Sequence, residues 1–445
     1  MLDGATLSWL WATPFLGILL TIALGPVAFP RLWSRHYGKF AAGWSAATVT
    51  AVALYAGVAT ALDTLARAVL ADYMSFIALL FALYVVAGGI LVTGNLRGTP
   101  ANNAGMLFAG TLLASLVGTT GAAMIVVRPL LRANEHRRHA AHVMVFAIFL
   151  VANIGGSITP LGNPPLFVGF LHGVNFLWTV RHLVPMTCFL VALVLAIFFA
   201  IDTWFYRREH PKADLSTHDA TVVRIRGWIN VPLIVAIIAA IVLSSAWQPG
   251  ITFNVAGQEL ALQNLARDAS LLAIALVSLK LTPVEHRTAN GFTWEPIREV
   301  AKLFAGIFIC IAPVLAVLRA GERGAFAWLL AFASEGDMPH NLAYFWLSGG
   351  LSAFLDNAPA YLVLFELAGG KANELMGPLA GTLAAISIGT CGMGALTYIG
   401  NAPNLMIYAI TVERGIAMPS FFGFMLWSSA VLLPVFAVGG YVFFG

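Results

Sequence analysis

Residues 183–201 (LVPMTCFLVALVLAIFFAI) contain no charged side chain, and windows of this kind recur along the whole chain. An α-helix rises 1.5 Å per residue, so about 20 apolar residues cross the ~30 Å hydrocarbon layer of a bilayer. A chain with many such windows is expected to be an all-α polytopic membrane protein, since a helix satisfies its own backbone where no water can. Composition agrees: 60% of residues are apolar and 10% charged, against about 25% charged in soluble domains. The net charge of +4 then reports loop orientation, and no nucleic-acid partner is expected. Cys188, Cys310 and Cys391 lie in apolar segments without a pairing pattern, so neither a disulfide frame nor a zinc site is indicated. The N-terminus MLDGATLSWLW has no basic n-region, so the first apolar segment is expected to be a retained helix.

Uninterrupted crossings are expected at 8–29, 41–61, 76–94, 182–203, 228–247, 265–282, 299–318 and 421–443. Two more, 140–176 and 376–412, contain breaks: "GGSITPLGNPP" opens at Gly155 and "TYIGNAP" at Thr397. The apolar segments 102–127 and 340–369 are interrupted at their centres by "VGTTGA" (117–122) and "LDNAPA" (355–360). Their halves are too short to span, which predicts re-entrant hairpins that enter and leave on one side.

The polar stretch 204–226 separates two related halves. Shifted by 238 positions, "NIGGSITPLGNPP" (153–165) falls on "CGMGALTYIGNAP" (391–403), with Gly156/Gly394, Thr159/Thr397, Gly162/Gly400, Asn163/Asn401 and Pro165/Pro403 identical. The same shift superposes both hairpin tips and the last helix of each half. The chain therefore reads as a first repeat over 1–203, with hairpin 102–127 and broken helix 140–176. A cytoplasmic linker over 204–227 leads to a second repeat over 228–445, with hairpin 340–369 and broken helix 376–412. Five crossings per repeat is odd, so the copies are expected to be inverted, as in secondary transporters. With ten crossings, 18 of the 24 Lys and Arg fall on one side, which the positive-inside rule makes cytoplasmic. Both termini are then expected outside, in the plasma (inner) membrane of a bacterium.

Unwound backbone at membrane depth exposes polar groups that cost several kcal/mol each if unpaired, so it survives only in protein or beside a wet cavity. There, freed carbonyls and helix ends can bind ions. Gly155, Gly156 and Gly162 are expected to supply unusual backbone angles, and Pro160, Pro164 and Pro165 to stop the helix. The expected sodium and substrate site comprises Thr119 and Thr120 at the first tip with Ser157, Thr159 and Asn163 of the first gap. The second repeat adds Asp356 and Asn357 with Thr397, Asn401 and Asn404. Asp356 stands out, because an intramembrane carboxylate marks function by default and can exchange a proton for a cation. The plainer alternatives are that the breaks are packing kinks and that Asp356 caps the second hairpin limb. Glu366 and Arg128, 238 apart, are expected at the water interface, with a gating or counter-ion role as the alternative. The histidines, including His136, His139, His142, His210, His218 and His286, have no metal-ligand spacing and read as solvated or interfacial.

At these residues the sequence resembles the ion transporter superfamily, which includes divalent-anion/sodium symporters, citrate–metal transporters, arsenite permeases and NhaD-type sodium/proton antiporters. "IGGSITPLGNPP" resembles its first broken-helix motif and "IGNAPNLMIY" the second. The resemblance implies a homodimer in which hairpins and broken helices form a transport domain that moves elevator-fashion against a scaffold. The tips, Gly118-Thr119-Thr120 and Asp356-Asn357-Ala358, depart from the Ser-Asn-Thr of sodium/carboxylate symporters, while "LDNAP" resembles the Asp-Asn-x-Pro of NhaD-type antiporters. The expectation is a sodium/proton antiporter, with sodium- or proton-coupled citrate or dicarboxylate transport as the alternative. The solute is then a small ion or small organic anion, coupled to sodium or protons, and no further cofactor is expected. An intramembrane lipid-phosphate enzyme is a remote alternative, because the breaks offer no Arg or His beside their one Asp.

Overall fold

The computed structural model describes residues 2–94, 97–209, 223–335 and 338–445. Residues 210–222 of the polar stretch, with His210 and His218, lie outside the described residues. Among the described residues six helices are long and apolar enough to cross a membrane: Trp9–Pro26, Val58–Gly88, Phe176–Glu209, Leu262–Leu281, Glu295–Arg319 and Phe421–Phe444. Shorter apolar helices occupy Ala141–Gly156, Asn230–Ala246 and Ala380–Leu396. The chain is an all-α polytopic membrane protein.

Several expected boundaries are corrected. Residues 30–40 are not a loop: a helix begins at Pro30 and runs to Ala56, carrying Arg31, Arg35 and Lys39 on its first turns. Proline is favoured at a first helical position, where its missing N–H has no partner to lose. The helix stops at Gly57, whose φ of +89° suits glycine. The next helix then starts at Val58 and continues to Gly88 through a π-helical stretch, Ala68–Tyr73. Charged Asp63, Arg67 and Asp72 give this stretch a loop-like sequence. The crossing expected at 76–94 ends at Gly88, and Leu91–Thr93 instead form a strand antiparallel to Arg224–Arg226, with Leu91 opposite Arg226. A second small hairpin pairs Thr252–Val255 with Gln258–Ala261, turning on Ala256 and Gly257 with φ of 52° and 82°. Positive φ at both central residues is the two-residue turn that matches strand twist.

The two interrupted segments at 100–133 and 341–367 are helical hairpins. Limbs Pro100–Val117 and Thr119–Ala133 pack against each other, as do Asn341–Phe354 and Asn357–Leu367. The first limb is capped by Thr99, whose hydroxyl accepts the Asn102 N–H at 3.3 Å. The broken helices are Ala141–Leu150 with Pro164–Leu171, and Ala380–Met393 with Ala402–Glu413. Elements from the two halves of the chain interdigitate. Limb Asn357–Leu367 packs on Pro164–Leu171, and Ala402–Glu413 packs on Thr119–Ala133 and on Ala141–Leu150. Against this group stand helices Thr13–Ala28, Pro30–Ala56, Met74–Gly88 and Glu295–Arg319. Buried rings of Phe76, Phe304, Phe308 and Phe167 meet at the seam, with centroids 4.7–6.4 Å apart. In lipid such rings hold helices together by close packing, since the surrounding tails are equally apolar.

Candidate functional site

Both hairpins turn at the centre of the molecule, by different means. Gly118 has φ of +79°, a conformation that glycine adopts without strain, and the second limb starts at Thr119. Its counterpart Asp356 has ordinary φ of −54°, and its carboxylate accepts the Ala358 N–H at 3.4 Å. Asp356 is therefore the N-cap of its limb, as the plainer alternative expects. Its carboxylate also borders the central cavity.

The two gaps face the tips. Thr119 N–H donates to Gly162 O at 2.9 Å. Thr159 Oγ1 donates to Ser115 O at 2.5 Å, and 238 positions on, Thr397 Oγ1 donates to Ala353 O at 2.6 Å. Each gap threonine thus ties its broken helix to the end of the neighbouring hairpin limb. Asn163 and Asn401 are both extended (φ −138° and −152°) and lead into helices with proline in their first two positions. Pro164 and Pro165 therefore restart the helix, a correction to the expectation that they stop it. Gly155, Gly156 and Gly162 are also corrected, since none has positive φ. Their reason is close approach. A Cβ on Gly155 would lie 2.7 Å from Leu150 O and Thr111 O, one on Gly156 2.7 Å from Thr119 Cγ2, and one on Gly162 would strike Gly156 O.

The gaps are joined by Asn153, which is fully buried. Its Nδ2 donates to Ile148 O at 2.8 Å and to Asn404 Oδ1 at 2.7 Å, and its Oδ1 accepts from Asn401 Nδ2 at 3.2 Å. Asn401 Nδ2 also donates to Ala152 O at 2.9 Å. A longer contact, 3.5 Å, runs from Asn357 Nδ2 to Asn163 Oδ1, and Ser352 Oγ donates to Asn357 Oδ1 at 2.6 Å. The buried Asn163 Nδ2 has no hydrogen-bond partner among the described residues. The helix N-termini at Thr119, Pro164, Asn357 and Ala402 consequently meet in one region, each the partially positive end of its helix.

A cavity of about 420 Å³ opens beside them. One wall holds Thr119, Thr120, Asp356 and Asn401; the other is formed by Trp33, Tyr84, Glu295, Glu299 and Phe304. Of the ten expected site residues these four reach the cavity. Ser157, Asn163 and Asn357 are buried behind it. Thr159 and Thr397 direct their hydroxyl protons at hairpin carbonyls. Asn404 is engaged with Asn153, Gly394 O and Thr397 O. Asp356, Asn401, Thr119 and Thr120 are thus the expected site residues that line the cavity.

Sequence reasoning missed Asn153, Ser352, Glu295, Glu299 and Glu413. Glu295 accepts from Tyr37 Oη at 2.9 Å and Glu299 from Trp33 Nε1 at 3.1 Å. Both acids sit on the first turns of helix Glu295–Arg319, where they read as an ordinary membrane-interface charge. Asn153 was legible, since it belongs to the gap motif itself. Two expectations of interfacial exposure are corrected. Glu366 is 4% exposed and paired with Arg319. His142 is buried, with Nε2 2.8 Å from Asp202 Oδ1, beside the Arg137–Asp202 pair. Arg128 is half-buried.

No curated protein matches the sequence. A family model described as "Putative citrate transport" (CitMHS_2) matches residues 4–444. With nearly the whole chain covered, and with the membrane helices and central cavity in place, the protein belongs to this citrate-transport family and is a transporter.

Proposed function

We propose that the protein is a cation-coupled carrier of citrate or a related carboxylate, working by alternating access. The observation that carries this reading is the 420 Å³ cavity bounded by both hairpin tips. Its volume lies in the range of small-molecule sites, about 300–1,000 Å³, and exceeds what a bare ion needs. Four helix N-termini gather at its inner wall and favour an anionic solute. Asp356 adds one carboxylate to that wall, which a sodium ion or a proton neutralises before an anion can settle beside it. Binding of the two is thereby coupled, because each lowers the electrostatic cost of the other.

Two inverted repeats of five crossings, 1–203 and 228–445, with re-entrant hairpins, account for the matching bonds of Thr159 and Thr397. Hairpins and broken helices form the moving part in this reading, and the helices across the seam form the scaffold, in a homodimer. The cavity mouth, at Thr293–Glu299 and Glu413, then faces the cytoplasm, where loops 280–298 and 413–420 belong by the positive-inside rule. Both termini lie outside, and the membrane is the bacterial inner membrane.

The second reading, sodium/proton antiport, is favoured by Asp356 alone: it is the one acid at the gap tips and can trade a proton for sodium. One assay separates them. Purified protein in liposomes is given labelled citrate under an imposed sodium or pH gradient, with an internal pH dye. Saturable gradient-driven citrate uptake that Asp356→Asn abolishes supports the carrier. Sodium-driven proton movement without citrate uptake supports antiport and refutes the first reading.

A further inference from the structure

Helix Glu295–Arg319 lines the cavity from Glu295 to Ile307 and carries another charge at its far end. At 1.5 Å per residue Arg319 lies about 36 Å from Glu295. There its guanidinium forks onto Glu366, with Nε–Oε2 at 3.0 Å and Nη2–Oε1 at 2.6 Å. The Arg319 side chain is 48% exposed and that of Glu366 4%. Gly370, with φ of +67°, covers the carboxylate so closely that a Cβ there would meet Glu366 Oε2. Alongside, Asp72 Oδ1 lies 3.9 Å from His172 Nε2, and Asp72 also interacts electrostatically with Arg319. The His172 ring meets Phe365 edge-on at 6.0 Å.

Both contacts cross the same seam. Arg319 and Asp72 belong to helices of the Glu295 wall. Glu366 ends the second hairpin, and His172 ends the first broken helix. We propose that these four residues form a lock which holds the seam shut at the Arg319 end while the cavity is open at the Glu295 end. The inference rests on the alternating-access reading above.

The physical case lies in the geometry of the pair. A forked guanidinium–carboxylate contact has one productive arrangement, so sliding one wall along the other breaks both bonds together. Glu366 is buried by its own hairpin end, and leaving it without Arg319 strands a desolvated charge. Parting the seam therefore requires water to reach Glu366 as Arg319 withdraws. Arg319, itself half-exposed, keeps water and the electrostatic attraction of Asp72 on its own side of the seam after separation. The lock thus opposes opening without trapping an unpaired guanidinium in the opened state.

The test uses the full chain in liposomes, with Cys188, Cys310 and Cys391 replaced by Ala and a reporter Val300→Cys in the cavity wall. An impermeant maleimide is applied from the side that labels it. Glu366→Gln is expected to slow labelling about tenfold by shifting the population away from the observed state. The exchange Arg319→Glu with Glu366→Arg is expected to restore the rate to within about twofold. Should Glu366→Gln fail to elute as folded protein, Arg319→Lys keeps the charge, loses the fork and is expected to slow labelling in the same direction. If the reporter responds to citrate or a sodium gradient but none of these variants alters its rate, the lock is refuted and the transport reading stands. If the reporter responds to neither and citrate uptake is absent, the transport reading itself fails.

Discussion

Replacing Asn153 by Ala tests whether the two gaps depend on one another. Asn153 is fully buried and makes three hydrogen bonds, to Ile148 O, Asn404 Oδ1 and Asn401 Nδ2. Interhelical hydrogen bonds in membranes average about 0.6 kcal/mol, which sets a floor near 1 kcal/mol for the two that cross to Asn401 and Asn404. The orphans left behind raise it. Ile148 O loses the side-chain donor, and the N–H four residues on does not replace it, because Ala152 N–H turns to Ala147 O. Asn404 Oδ1 also loses its donor, whereas Asn401 Nδ2 keeps Ala152 O. Two buried orphans at about 1–3 kcal/mol each give a range of about 2–6 kcal/mol. Since 1 kcal/mol moves Tm by about 2–4 °C in chains of 150–250 residues, a fall of several degrees is expected. Thermal unfolding in detergent, followed by size-exclusion chromatography, measures it. Citrate uptake in liposomes should show a raised KM, because Asn401 lines the cavity and loses one of its two anchors. A Tm within about 1 °C of wild type with unchanged KM would show that the gaps are held by helix packing alone and refute the coupling argument.

Four further outcomes are expected. Gly118→Ala meets nothing nearer than Leu161 O at 3.4 Å, so its cost is the positive φ alone, about 1–2 kcal/mol; Gly162→Ala drives a methyl into Gly156 O and should lower Tm further in the same assay. Thr159→Val and Thr397→Val each remove a hydroxyl that donates to a hairpin carbonyl and accepts a gap N–H, from Leu161 at 3.2 Å and Gly400 at 2.9 Å, and should destabilise by similar amounts, about 2 kcal/mol each; a large difference would break the equivalence of the two gaps. Asp202→Asn removes one of the two carboxylates paired with buried Arg137, leaving Glu209 Oε2 at 3.2 Å from Nε, and should cost about 1–3 kcal/mol, read as a lower Tm in the same assay. Glu299→Gln retains an acceptor for Trp33 Nε1 while removing a negative charge from the cavity wall, and should lower KM for an anionic solute at unchanged Tm; an unchanged or higher KM would argue against anion entry by this route.

The four interruptions were legible because their chemistry is incompatible with an apolar helix. Glycine at 118, the paired prolines at 164 and 165 and an asparagine before each restarted helix all announce a backbone that leaves the helical path. Helix limits were less legible where charge and membrane interface coincide. Arg31, Arg35 and Lys39 look like a loop yet ride on the first turns of a helix, and Asp63, Arg67 and Asp72 sit on one that never stops. The glycines of the first gap were recognised for the wrong property. Sequence shows that a Cβ is absent, while only the fold shows that atoms of Thr111, Thr119, Leu150 and the facing glycine occupy its place. Pairings across long separations were invisible for the same reason. Glu366 and Arg319 are 47 residues apart, and His142 and Asp202 are 60 apart. Each half looks like a surface charge until the fold supplies its mate.

The paired threonine bonds bear on how the carrier would treat its two faces. Thr159 and Thr397 fasten each broken helix to a hairpin, and Asn153 fastens one broken helix to the other, so this half of the molecule is braced from within. Under the alternating-access reading proposed above, parts joined so tightly would travel as a single body, carrying the inner surface of the solute's berth unchanged from one face to the other. Any difference between the affinities measured at the two faces must then be written on the stationary side, in what Trp33, Glu295 and Glu299 present at one stop and other residues of the same helices present at the next.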